Sequence, residues 1–174
     1  MTIRIERAIA QDIETCTRIA CDSEIGQRYG FEGRIMAEKM VTHLEAGGLI
    51  LVALELESML EDTPKEHRID PLLRKVIGFA WVDAKGGFGQ APYLKLIAID
   101  PSKQNVGVGS LLLKAFEDHT RDMGRGWFLL VSHFNTKAIR FYERHGYAQV
   151  GALPDFVKAG ITELIMYKAP NNYA

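Results

Sequence analysis

The run Ile97-Ala98-Ile99-Asp100-Pro101-Ser102-Lys103-Gln104-Asn105-Val106-Gly107-Val108-Gly109-Ser110-Leu111-Leu112 combines three features that together could grip an anion. An apolar strand leads into a tight, glycine-bearing turn, and the turn opens an amphipathic helix. The first turn of a helix presents N–H groups without intrahelical acceptors and carries a partial positive charge. Gly107 and Gly109 have no side chains to hold a phosphate away from those amides. A diphosphate can then be held mainly by backbone, without a cluster of lysines. Taken alone, the same glycines also fit a strand–helix turn packed for structural reasons.

The run lacks the Gly-Lys-Ser/Thr of a P-loop. It also lacks G-x-G-x-x-G followed some 20 residues on by a ribose-binding acid, so neither nucleotide fingerprint fits. A second block follows: Asn135-Thr136-Lys137-Ala138-Ile139-Arg140-Phe141-Tyr142-Glu143-Arg144-His145-Gly146-Tyr147.

Together the two blocks resemble the GCN5-related N-acetyltransferase (GNAT) family. Its coenzyme A signature, Gln/Arg-x-x-Gly-x-Gly/Ala, stands here as Gln104-Asn105-Val106-Gly107-Val108-Gly109, and the second block matches Asn-x-x-Ala-x-x-Phe-Tyr-x-x-x-Gly-Tyr throughout. The resemblance implies an α/β fold: a mixed six- to seven-stranded sheet, splayed between its fourth and fifth strands, with about four helices on both faces. It implies acetyl-CoA in the gap as acetyl donor. The backbone around Ile97, Ala98 and Ile99 would pair with the pantetheine arm as an added strand would. Gln104 belongs to the signature, and amides from Asn105 through Ser110, including Val106, Gly107, Val108 and Gly109, would hold the pyrophosphate. Asn135 and Ala138 would lie at the coenzyme arm, and Tyr142 would act as general acid near the thioester sulfur. The chemistry is compatible. Attack by an amine on a thioester needs a neutral amine, a polarised carbonyl and a proton for the departing thiolate. A tyrosine, with an ordinary pKa near ~10, can donate that proton at neutral pH.

The pattern breaks at the base. Histone-type members carry a glutamate where Tyr93 stands, and members that acetylate a ribosomal-protein N-terminus carry one where Leu130 stands. Glu24, Asp83 and His133 are the substitutes in this chain, and ordered water is the alternative to all three. Acceptor specificity is expected from 24–34, 57–75 and 153–160, with Glu24, Arg28, Tyr29, Asp155 and Phe156 as candidate contacts. Lys137, Arg140 and Arg144 form a basic helical face, read as solvated. The histidines at 43, 67, 119, 133 and 145 show no metal-binding pattern, so no metal is expected.

These residues need elements to position them. Strands are expected at 2–7, 49–56, 76–82, 93–99, 127–134, 147–151 and 161–168. Asp12 should open a first helix. A loop or broken helix should cover 23–33. Met36, Met40, Val41 and Leu44 should line a second helix, and Val108, Leu111, Leu112, Ala115 and Phe116 the helix after the glycine turn. A last helix is expected at 136–145. Residues 57–75 read as a long solvated excursion, and Gly86-Gly87-Phe88-Gly89 as a turn. With 174 residues, 47% hydrophobic and 25% charged, the chain reads as one domain, 1–174. A net charge of -1 gives no global attraction to nucleic acid or to anionic membranes. No apolar run approaches the roughly 20 residues of a membrane span. Met-Thr-Ile-Arg-Ile-Glu-Arg lacks a signal-peptide core, and Cys16 and Cys21 read as thiols in one helix, so a reducing cytoplasm is the expected compartment. The expected function is acetyl-CoA-dependent N-acetylation of a primary amine, with a small molecule favoured over a protein N-terminus or lysine. The expected assembly is a monomer or a homodimer. A non-catalytic acyl-CoA-binding module is the competing class.

Overall fold

Alternation and glycine punctuation set the chain into strands and helices whose order matches the sequence reading. The computed structural model describes residues 2–57, 64, 67 and 69–170. In chain order the elements are β1 (Thr2–Arg7), α1 (Ile13–Asp22), α2 (Glu24–Tyr29), α3 (Gly33–Glu45), β2 (Leu49–Leu56), β3 (Val76–Gly87) and β4 (Ala91–Ile99). There follow α4 (Val108–His119), β5 (Trp127–Ser132), α5 (Thr136–Arg144), β6 (Ala148–Pro154) and β7 (Thr162–Lys168). The sheet is mixed, seven-stranded and ordered β1-β2-β3-β4-β5-β7-β6. Its parallel β4–β5 pair is registered at Tyr93↔Phe128 and Leu94↔Leu129. Five α-helices among the described residues, where about four are expected, reflect α2: the Ser23 side chain caps it by accepting from Gly26 N–H.

The chain forms two compact units. The first comprises the chain up to Val82 with Leu96–Phe116, the second Asp83–Lys95 with the chain from Glu117 onward.

In the first unit β1, β2 and β3 are antiparallel neighbours. Ile50, Val52, Leu54 and Leu56 on alternate positions of β2 pack with Ile13, Cys16, Ile19, Met36 and Met40 from α1 and α3. Leu51 and Ala53, on the other face, are also fully buried, which explains the unbroken apolar run of that strand. α4 buries Val108, Leu112, Leu113 and Phe116, and leaves Leu111 42% exposed. The expected stripe is therefore shifted. Three consecutive leucines fit either side of a helix, and the core takes the i, i+4, i+8 set starting at Val108. Val41 is likewise exposed, while Met36 and Met40 carry the α3 seam.

Two further boundaries moved. β3 continues through Gly86 and Gly87, so the turn starts at Phe88. Of the expected 57–75 excursion, residues 58–63, 65, 66 and 68 lie outside the described residues. Its described end is largely exposed, as at Asp70–Leu73 and Lys75, but it is pinned at two points. Ile69 is buried in the first unit's core, and Arg74 is clamped. The Arg74 Nη2 lies 2.8 Å from Asp12 Oδ2, and its Nη1 lies 2.5 Å from Glu6 Oε2. Asp12 therefore does more than begin α1: its carboxylate also accepts from Ile9 N–H.

In the second unit β5 and β7 are antiparallel, as are β7 and β6. Trp127, Leu129 and Val131 are buried on one face of β5 with Met166 of β7. The Trp127 indole N–H donates to Thr120 Oγ1 at 2.9 Å.

Candidate active site

The glycine turn belongs to the first unit. Asp100 accepts from Ser102 N–H at 3.0 Å and from the Ser102 hydroxyl at 2.7 Å, and its other oxygen accepts from Arg18 at 3.1 Å. Those Ser102 bonds, with help from Arg18, hold its carboxyl below the usual carboxylate range. The anchored Asp100 supports a 3-10 turn over Pro101–Lys103. Beyond it, Asn105 (φ 63°) and Gly107 (φ 88°) both take left-handed backbone, which reverses the chain and aims it into α4. Leu111 N–H donates to Gly107 C=O at 3.2 Å, so Gly107 sits at the helix cap and the amides just after it point out of the helix end. Gln104 through Gly107 are exposed, and a Cβ at Gly107 would meet open space. The backbone here is open to solvent.

On β4, Ala98 is buried and Ile97 and Ile99 are half-buried. The strand lies so close to β3 that a Cβ at Gly78 would come within 2.9 Å of Ile99 Cδ1 and 3.1 Å of Ala98 O. Val108 is buried at the start of α4, and Gly109 and Ser110 are half-buried.

Asn135, Ala138 and Tyr142 belong to the second unit. The Asn135 Oδ1 accepts from Ala138 N–H at 3.1 Å and caps α5. With that oxygen engaged, the rest of the side-chain amide is a donor. Tyr142 is buried at 6% exposure, with ring centroids 5.3 Å from Phe141 and 5.9 Å from Tyr147. Burial, then the neighbouring Tyr93, pushes its phenol well above the ordinary tyrosine value. Tyr93 is itself pushed up to about 12 by burial, then by the charges of Glu163 and Asp83. Tyr147 moves the same way through burial and Glu117. All three phenols are therefore neutral at physiological pH.

The candidate bases fare unequally. Glu24 is an exposed partner of Arg28 at 3.2 Å. Asp83 accepts from Lys85 N–H at 3.0 Å and lies within electrostatic reach of Tyr93. His133 is exposed, and its Nδ1 accepts from Thr162 N–H at 3.2 Å, a structural tie between β5 and β7. Asp155 (φ 55°) accepts from Gly160 N–H and shapes the β6–β7 turn, where Phe156 is 63% exposed. Lys137, Arg140 and Arg144 are exposed. The sequence reading passed over Glu163, a buried carboxylate on β7 that accepts the Ser132 hydroxyl. Its signal was a lone acid among apolar residues at an inward strand position. Among the described residues no group of three or more His, Cys, Asp or Glu side chains is placed to hold a metal ion, and no helix is long and apolar enough to cross a membrane.

The mixed sheet has a parallel β4–β5 pair, a glycine-opened helix follows β4, and a buried tyrosine stands on the helix after β5. Residues 33–147 match the acetyltransferase (GNAT) family, and the chain belongs to it. It is 32% identical over 119 residues to the N-acetyltransferase YjcF of Bacillus subtilis, itself uncharacterized, covering 62% of this chain and 81% of that protein. Its fold is similar to that of a GNAT-family protein from Desulfovibrio desulfuricans (TM-score 0.72, 22% identity, 97% of this chain and 99% of that one). It is also similar to that of yncA from Salmonella typhimurium, solved with its cofactor acetyl-CoA (TM-score 0.69, 15% identity, 100% and 97%).

Proposed function

We propose that this enzyme transfers an acetyl group from acetyl-CoA directly to a primary amine of a small molecule. The observation that carries the reading is the turn before α4, where Asn105 and Gly107 are left-handed and the space beside Gly107 is open. That cradle fits a diphosphate. Amides from Asn105 through Ser110 hold it, and the backbone of Ile97 and Ile99 pairs with the pantetheine arm. Asn135 gives the arm a hydrogen bond from its amide nitrogen, with Ala138 beside it. Bound acetyl-CoA supplies the acetyl group as a thioester open to attack by an amine.

Tyr142 serves the leaving group. An ordinary thiol titrates near 8.5, below this raised phenol. Tyr142 therefore stabilises a developing thiolate as a hydrogen-bond donor and does not ionise in its place. The sequence carries no strongly acidic cleft signal of the kind a basic peptide would require, which supports a small-molecule acceptor.

The test is a panel of small amines and peptides incubated with acetyl-CoA while free thiol is followed. Small amines should release thiol above hydrolysis, and Tyr142→Phe should lower turnover on the order of 100-fold with little change in coenzyme affinity. Turnover confined to peptides would replace the acceptor class. Tight coenzyme binding without transfer to any amine would make the chain a binding module.

A further inference from the structure

Among the described residues Glu163 is the charged side chain of the second unit that the fold buries, at 4% exposure. The Ser132 hydroxyl donates to Glu163 at 3.3 Å and 3.5 Å from its two oxygens, and Ser132 is also 4% exposed.

Register fixes which face this pair occupies. Ser132 pairs with Glu163 and Leu130 with Ile165 across β5–β7, while Phe128 pairs with Tyr93 across β4–β5. Directly paired residues, and residues two apart on a strand, share a face. Tyr93, Leu130 and Ile165 on that face are half-buried. The opposite face carries the buried Trp127, Leu129, Val131 and Met166 together with the half-buried Leu164 and Lys168. Glu163 therefore shares its face with the aromatic and aliphatic side chains of Tyr93, Leu130 and Ile165. The lift of the Tyr93 phenol, to which the Glu163 charge contributes after burial, reports that the two groups lie within electrostatic reach.

A carboxylate beside apolar surface matches one acceptor chemistry: a primary ammonium borne on an apolar body. An alkylamine is mostly protonated at neutral pH and cannot attack until it loses a proton. We propose that Glu163, oriented by Ser132, binds the acceptor ammonium and takes its proton. R–NH3+ and Glu–COO⁻ become R–NH2 and Glu–COOH; the nitrogen lone pair is freed, and the acid returns its proton to water. This inference rests on the acetyl-transfer reading above and names the proton acceptor and acceptor class for the same site. Tyr93 on β4 lies within electrostatic reach of Glu163, of Asp83 on β3 and of Tyr142 on α5, and His133 follows Ser132 in the chain and is tied to Thr162.

The test uses two readouts. The first is binding by calorimetry of phenethylamine, hexylamine and tyramine, each against its alcohol isostere. Wild type should prefer the ammonium about 10-fold or more, and Glu163→Gln should erase that preference while acetyl-CoA affinity and thermal midpoint stay unchanged. The second is the pH profile of kcat/KM. Glu163→Gln should lower it about 100-fold near pH 7 and recover toward pH 10, where the amine is neutral unaided. Glu163→Asp should keep part of the wild-type profile, and Ser132→Ala should shift it modestly. Failure of wild type to bind any of the three amines, a preference that survives Glu163→Gln, or an unmoved pH profile would each overturn the assignment. None of these outcomes alters acetyl-CoA binding, so failure here is distinguishable from failure of the acetyltransferase reading, which would show as no transfer to any amine.

Discussion

Arg74 and Asp12, 62 positions apart in the chain, meet at 2.8 Å with both side chains 2% exposed. The guanidinium also donates from Nε to Asp12 Oδ1 at 2.9 Å and from Nη1 to Glu6. One planar fork thus ties β1, the start of α1 and the segment entering β3. Removing one member of a buried pair leaves an uncompensated charge, which costs about 3–5 kcal/mol. Arg74→Ala should destabilise by that amount in urea melts, and Arg74→Lys should recover only part of it, because an ammonium cannot reproduce the two-pronged contact.

Gly107 offers a cleaner separation of binding from folding. A side chain there would meet no protein atom within 4 Å but must adopt φ 88°, at a cost of about 1–2 kcal/mol. Gly107→Val should therefore fold with a modest loss of stability. Its acetyl-CoA Kd, measured by calorimetry, should rise about 10- to 100-fold, or roughly 1.4–2.7 kcal/mol, while kcat at saturating coenzyme stays near wild type. Unchanged affinity would remove the turn from the coenzyme site.

Asn135 carries two tasks that substitutions can split. Asn135→Ala loses the cap of α5 and should cost about 1 kcal/mol. Asn135→Asp keeps an oxygen for Ala138 N–H but has no amide donor. It should retain the melting temperature and still weaken coenzyme binding about 10-fold. Wild-type affinity in Asn135→Asp would confine this side chain to capping.

The buried phenols predict an alkaline transition. Tyr93 is raised above its ordinary value of 10.0 to about 12, and Tyr142 and Tyr147 move the same way. Above pH 10 the unfolded chain releases these protons more readily than the folded one. Their contribution is therefore fully present below pH 10 and falls as pH rises, for Tyr93 between 10 and about 12, by up to about 3 kcal/mol. Thermal melts from pH 8 to 12, with phenolate absorbance at the same points, should show stability lost before these tyrosines ionise in the native state. Native-state ionisation of all six tyrosines at pH 10 would contradict it.

The parts legible in the sequence are those written in local pattern. The apolar run 49–56 gave β2 its bounds, and the glycines after Asp100 marked the turn whose left-handed φ the structure shows. The parts missed depend on partners distant in the chain. Leu111, Leu112 and Leu113 are equivalent until the sheet beneath α4 selects two of them. Arg74 looks like one charge in a polar stretch until Glu6 and Asp12 surround it. Glu163 shows in the sequence as a lone acid in an apolar strand, but its partner Ser132 is set only by the β5–β7 register. No local periodicity encodes that pairing.

β6 is the last strand in the sheet order, and its pairing with β7 shifts register between Gln149 and Gly151. An outermost strand with regular spacing is a template on which another chain can add by hydrogen bonding. The offset interrupts that ladder midway, next to the exposed Val150. A foreign segment zipping along this margin would lose step there, a built-in guard against edge-to-edge aggregation.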